Sequence, residues 1–179
     1  PWLAGWKRRL LPSWLPSGVC LLAYHVPLDA RPRLGNNAQL AVMLDIVVQG
    51  SFACRGGPML ALYGDLIAPL SADDLGQKIA NCLQRQPLHI AGDDQPIQRV
   101  GWCSGGAQSY FEAAVALGVD AFISGEVSEQ CTHIARETGV HYYAAGHHAT
   151  ERYGVQALGR HLSAQYGLTV EFIDIDKQV

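Results

Sequence analysis

The chain has 179 residues, of which 49% are hydrophobic and 16% charged, a balance that supports a packed core and excludes broad disorder. A net charge of -3 with no block of lysine or arginine gives no electrostatic case for wrapping duplex DNA, so a nucleic-acid partner is not expected beyond a local patch. The longest near-apolar run, "VCLLAYHVPL" at 19–28, is too short to span a bilayer, and no membrane association is expected.

The predicted elements alternate between short apolar strands and amphipathic helices. The segment "WKRRLLPSWL" at 6–15 mixes basic and apolar residues but is broken by prolines and has no cleavage site, so it does not read as a secretory signal. "VCLLAYH" (19–25) reads as a buried strand, and "NNAQLAVMLD" (36–45) as a helix capped by Asn36 or Asn37. Residues 50–59 read as loop and 59–67 as a strand. "SADDLGQKIANCLQRQ" (71–86) predicts a helix capped by Ser71, with Leu75, Ile79, Cys82 and Leu83 on one face. Strands at 97–103, 120–125 and 140–146 alternate with helices at 105–118, 128–139 and 148–167, the last with Val155, Leu158 and Leu162 facing inward. "TVEFIDI" (169–175) reads as a closing strand. This order predicts an α/β sheet with helices packed on it.

In such sheets, functional groups gather where strands end and helices begin. His25 and Asp29, Ser104, Glu126 and His147 all fall at such points. In "AAGHHATERYG" (144–154), His147 and Glu151 are four apart, so an imidazole and a carboxylate can face one ion, a donor pair that suits zinc, iron(II) or manganese. His148 can instead pair with Glu151 at i+3, and spacing does not choose between the histidines. An ordinary solvated first turn fits the same residues. Asp29, in a proline-flanked loop, is either a hard oxygen ligand or an Asx-type turn residue.

"GWCSGG" (101–106) joins a strand to a helix but matches neither the P-loop nor the dinucleotide fingerprint; a tight packing turn explains it. Cys103 beside it reads as a buried small apolar residue in preference to a nucleophile. In "SGEVSEQCTH" (124–133), Ser128 is a candidate cap, and Glu129 and His133 are candidate partners that orient a ligand histidine. The five cysteines, Cys20, Cys54, Cys82, Cys103 and Cys131, are scattered and form no C-x-x-C pair, which argues against a disulfide framework or zinc knuckle and for a reducing, cytoplasmic setting. The chain begins at Pro1, as expected of a processed, trimmed or incompletely recorded product.

"YHVPLDARPRLGNNAQLA", "VGWCSGGAQSYFEAAVALGVDAFISGEVSEQ" and "HYYAAGHHATERYGVQAL" together resemble the NIF-three-like proteins, most closely the bacterial YbgI-type members known as GTP cyclohydrolase type 2 homologues. The resemblance runs from about Gly5 to Asp174. It implies an α/β fold of two interlinked lobes of mixed sheets flanked by helices, with 1–50 and 146–179 in a first, N-terminally truncated lobe and 51–145 in a second. It further implies a dinuclear centre of divalent ions, two per subunit, of zinc, iron or manganese, within a homohexameric ring. Carried over, Asp29, His147 and Glu151 are metal ligands, with His147 favoured over His148 by its preceding glycine. His25, Glu126 and His133 match positions near the pocket and are the candidate catalytic residues. The family's adjacent histidine pair on an upstream segment has no counterpart here, and Pro12 and Pro16 disfavour a continuous helix ahead of His25. The activity implied is metal-dependent hydrolysis of a small molecule such as GTP, with a non-catalytic metal-binding ring protein as the alternative.

Overall fold

The computed structural model describes residues 4–175 and 177. Its frame is one mixed sheet drawn entirely from residues 46–144. Six strands, β1 (Ile46–Phe52), β2 (Ala61–Leu70), β3 (Leu88–Ile90), β4 (Ile97–Cys103), β5 (Ala121–Ser124) and β6 (His141–Ala144), lie in the order β1-β2-β4-β5-β6-β3. β4, β5 and β6 run parallel and the remaining pairs antiparallel. The parallel strands need crossovers, which α5 (Phe111–Ala116) and α6 (Glu129–Thr138) supply.

Side-chain alternation along the strands divides the core into two layers, one on each face of the sheet. Ala121 and Ile123 of β5 and Tyr143 of β6 join Leu40, Leu75, Ile79, Val100 and Trp102 in one cluster. Phe122 and Tyr142 join Phe111, Ala114 and Cys131 in the other. All four residues of β5 are buried, as expected for a central strand covered on both sides. The first layer is covered by α3 (Asn36–Met43) and α4 (Ala72–Leu83). Ser71 caps α4 as its sequence predicts: its hydroxyl accepts from the Asp74 N–H at 3.1 Å, while Leu75, Ile79 and Leu83 point into the core.

Several sequence expectations are corrected. The segments 19–25 and 169–175 form no regular element and belong to no ladder among the described residues. Their β-formers are exposed, Val19, Leu21 and Leu22 in the first and Val170 and Ile173 in the second; residue preference alone does not make a strand without a paired neighbour. The stretch 50–59 is not all loop, since β1 continues to Phe52 in a hairpin with β2. The helix expected over 105–118 starts late, with a 3-10 turn at Gln108–Tyr110 before α5. The helix expected over 148–167 is two, α7 (His147–Glu151) and α8 (Tyr153–Tyr166), interrupted at Arg152.

Gly154 of α8 packs against Asn36 of α3, and Gly159 against Val170. The buried positions of α8 are Gly154, Ala157 and Gly159, and not Val155, Leu158 and Leu162. Those three line an open groove with Val170 and Phe172. Ahead of the sheet, α1 (Gly5–Trp14) accommodates Pro12 on the molecular surface and yields to a 3-10 turn, Leu15–Ser17, that contains Pro16. A four-residue helix, α2 (Val26–Asp29), follows the segment 19–25. Among the described residues no helix is long and apolar enough to cross a membrane.

Phe122 is fully buried, with Phe111 stacked 5.8 Å away and Tyr142 tilted at the same centroid distance. Phe122→Ala is expected to cost about 3–5 kcal/mol, read as a lowered urea midpoint with an unchanged slope.

Candidate functional site

The parallel strands β4, β5 and β6 end at one edge of the sheet, and the residues just beyond them build the site. The chain stays in register past the strands: Gly125 N–H donates to the Gly105 carbonyl at 2.9 Å, and Gly146 N–H to the Gly125 carbonyl at 3.0 Å. This places Ser104–Gly106, Glu126 and the start of α7 side by side. Thr150, fully buried, locks α7 down by accepting from the Gly105 N–H at 2.9 Å while its hydroxyl donates to the Gly146 carbonyl at 2.9 Å.

Gly105 has φ +67°, and a Cβ there would lie 2.1 Å from Glu151 Oε1 and 3.2 Å from His147 Nε2. The "GWCSGG" turn is therefore more than a packing turn. Its glycine leaves the volume that the Glu151 carboxylate occupies.

His147 lies between two carboxylates. Its Nδ1 is 2.7 Å from Glu126 Oε1 and its Nε2 is 3.1 Å from Glu151 Oε2. The hydrogen bond to Glu126 is the main reason the imidazole pKa is raised above its ordinary value, and the same bond holds the Glu126 carboxyl below the usual range. The partner that orients His147 is thus Glu126, and neither Glu129 nor His133 serves that role. His133 lines a shallow pocket of α5 and α6 residues that includes Glu112 and Glu137. The i+4 geometry also settles which histidine Glu151 meets: His148 turns away, its Nε2 3.9 Å from Asp174 Oδ1.

On the opposite wall, α2 presents His25 and Asp29. His25 Nε2 is 3.9 Å from Asp29 Oδ2; the imidazole is three-quarters exposed and the carboxylate nine-tenths buried. His25, Asp29 and Glu151 each offer one ligand atom, and these atoms lie within 4.8 Å of one another. Donors that share a cation at about 2.0–2.2 Å stand at most about 4.4 Å apart, so one imidazole and two carboxylates fit a divalent ion with a small contraction. Glu151 belongs both to this group and to the pair with His147.

The positions of these carboxylates depend on two adjacent asparagines whose role lies beyond the capping that their sequence suggests. The N-cap of α3 is Gly35, without a side-chain cap. Asn36 and Asn37 lie inside the helix and spend their amides on tertiary bonds. Asn36 Nδ2 donates to Asp29 Oδ1 at 2.7 Å, and its Oδ1 accepts from the Gly154 N–H at 2.7 Å, tying α2 to the start of α8. Asn37 Oδ1 accepts from the Ser104 N–H at 2.8 Å, and its backbone carbonyl accepts from the Trp102 indole at 2.9 Å. Repeated asparagine at a helix start is a signal only when capping is not assumed. Cys103, beside them, is 5% exposed, and burial pushes its thiol up to about 12, as befits a packing residue. Similarly, the Ser128 side chain makes no capping bond and lies 3.4 Å from Cys131 Sγ.

Residues 3–178 match the family model described as Duf34/NIF3 (NGG1p interacting factor 3). A Vibrio cholerae protein named "GTP cyclohydrolase 1 type 2 homolog" is 49% identical over 180 residues, covering 99% of this chain and 71% of the relative. A solved structure described as "Structural genomics, protein ybgI, unknown function" superposes with a TM-score of 0.93 at 46% identity, over 100% of this chain and 71% of that one. The crystal structure of TTHA1606 from Thermus thermophilus gives a TM-score of 0.84 at 27% identity with the same coverage.

Two measurements check the geometry. In chelator-treated protein, the His147 ring is expected to titrate above its unperturbed value by NMR, and Glu126→Gln to lower that pKa. Asn36→Ala, which frees Asp29 on one side, is expected to weaken divalent-metal affinity by about 10-fold or more in a competition titration.

Proposed function

The chain belongs to the Duf34/NIF3 family, and on that premise we propose that it is a metal-dependent hydrolase acting on a small molecule, with a purine nucleotide such as GTP as the first substrate to test. The observation that carries this reading is the convergence of His25, Asp29 and Glu151 within 4.8 Å. The nucleotide comes from the names of relatives, which call them homologues of a cyclohydrolase.

Asp29, Glu151 and His147 are the proposed ligands: Asp29 and Glu151 belong to the converging group, and His147 lies outside it but meets Glu151 at 3.1 Å. Two carboxylates and an imidazole suit zinc, iron(II) or manganese, and a second ion per subunit remains part of the proposal. When bound, a divalent cation supplies Lewis acidity and makes a water more acidic. The chain's own groups do the rest. Glu126 accepts from His147 Nδ1–H, which fixes the tautomer and leaves the Nε2 lone pair available to a cation on the Glu151 side. Asn36 holds Asp29 Oδ1, so its other oxygen faces His25. Hydrolytic opening of a purine adds water to the imidazole carbon and must move a proton from that water to a ring nitrogen. His25 is placed for this transfer, exposed at the mouth with an imidazole that can both accept and donate a proton. His133 has no part in it, because its pocket holds none of these residues.

We extend the proposal to self-association into a ring, which the exposed apolar groove of Val155, Leu158, Val170 and Phe172 favours. It also extends to a cytoplasmic setting, consistent with five free cysteines. A non-catalytic ring protein that needs its metal only for architecture would share this groove and these ligands, and turnover separates the two.

Metal-loaded protein incubated with GTP is expected to yield a ring-opened product by chromatography, with the rate falling at least about 100-fold in Asp29→Ala and in Glu151→Ala. No product, or an undiminished rate in both variants, rejects the hydrolase. If light scattering then shows chelator dissolving an oligomer while GTP stays intact, the architectural reading takes its place.

A further inference from the structure

The side of α7 away from His147 and Glu151 carries a second constellation, also at i and i+4. His148 and Arg152 line a cavity of about 580 Å³ together with Arg85, Asp174 and Lys177. Arg152 and Lys177 stand there with one described carboxylate, Asp174, and Arg85 lines the same wall. Arg85 reaches the cavity because Gly146, with φ +100°, has no side chain: a Cβ there would lie 2.8 Å from Arg85 Cδ and Nε.

The single described carboxylate leaves donors unmet. Asp174 Oδ2 pairs with Arg152 Nη2 at 2.5 Å, but its other oxygen stands 3.9 Å from His148 Nε2, beyond hydrogen-bond range. Among the described residues, His148 Nε2 and Arg152 Nε are both closed to solvent and have no hydrogen-bond partner. Buried polar atoms without partners are unfavourable, and two in one cationic pocket point to an acceptor with more oxygens than a carboxylate has.

We propose that this pocket is a binding site for a phosphate-class oxyanion, and that the Asp174 carboxylate holds its place in the free protein. A tetrahedral oxyanion offers three or four acceptors. It can take Nη2 and Nε of Arg152 as a fork, His148 Nε2 on another oxygen, and the Arg85 and Lys177 charges around them. The site does not rest on hydrolysis and stands whether or not the chain turns over a nucleotide. Its chemistry is shared by free phosphate and by the phosphoryl groups of a nucleotide, and the probes below distinguish them.

The test is calorimetric titration of the whole chain after chelator treatment, so that no cation can bind the probe. Inorganic phosphate, GTP and guanosine are the three probes. Saturable binding of phosphate or GTP is expected, with guanosine silent. Asp174→Asn is expected to tighten it about fivefold or more, because the competing carboxylate is gone, and Arg152→Gln to weaken it about tenfold or more. Lys177→Gln is expected to weaken it less, and serves if Arg152→Gln fails to fold as judged by a thermal melt. GTP tighter than phosphate assigns the site to a nucleotide's phosphoryl groups, and equal affinities assign it to the free anion. Absence of binding in both the parent chain and Asp174→Asn overturns the proposal, as does binding unchanged by the Arg152 and Lys177 variants. Asp29→Ala separates this result from the hydrolase test: phosphate binding is expected to survive it.

Discussion

The site depends on holding two like charges together. Asp29 and Glu151 lie far apart in sequence, yet they offer ligand atoms within 4.8 Å of each other. Two unit charges at this separation repel by about 1 kcal/mol in water and by about 3–4 kcal/mol at the effective dielectric of a protein surface. The fold supplies what opposes this: an amide bond from Asn36 to Asp29, an imidazole on Glu151, and a glycine at 105 that makes room for the carboxylate. A positive charge relieves the remainder. In the metal-free chain a proton on His147 contributes: the bond to Glu126 chiefly, and the Glu151 charge to a lesser degree, draw that imidazole toward its charged form. A divalent cation would serve better, and its binding would displace that proton.

The sheet makes this arrangement reproducible. Parallel strands deliver their C-terminal ends to one edge, and the ladder continues through Gly105, Gly125 and Gly146 after the strands themselves have ended. The start of α7 is thereby fixed by backbone bonds and by Thr150, while the side chains of α7 are left free to face the site. α2 and α3 approach from residues outside the sheet, and the two asparagines join them to it. Glu126 occupies the turn after β5 for the same reason that His147 occupies the turn after β6.

Much of this was legible in the sequence, and the failures have physical causes. The strands β4, β5 and β6 and the helices α4 and α6 announce themselves by apolar runs and periodicity, because their environment is set within the sheet they form. The positions of Glu126 and His147 followed from their places beyond the ends of β5 and β6, whereas His25 and Asp29 were singled out by a strand that does not form. The segments 19–25 and 169–175 misled because pairing is a property of neighbours, which composition does not record. α8 misled in the opposite sense: its large apolar residues face a groove, while Gly154 makes the close contact with α3. Asn36 and Asn37 were hidden by a rule that is usually right, since asparagine at a helix start ordinarily caps. His133 lies on a helix face whose spacing suited a partner for His147, but spacing along one helix says nothing of which strand-end residue lies nearer.

The adjacent histidines show most clearly how one short turn serves two environments. In a helix, neighbours point about 100° apart, so His147 and His148 cannot share a ligand and must face different surroundings. Four residues on, Glu151 and Arg152 repeat the division, one anionic and one cationic. α7 therefore separates a face of carboxylates, with Asp29 and Glu126 nearby, from a face of cations formed with Arg85 and Lys177. The first suits a metal ion and the second an oxyanion. On the two proposals together, a ligand carrying both phosphate and a coordinated cation would match the pair. The cost of setting opposite charges on one helical turn is kept low because each finds its complement, Glu151 in His147 on the same helix and Arg152 in Asp174. On the two proposals, a cation would take the place of the His147 proton, and an oxyanion the place of the Asp174 carboxylate.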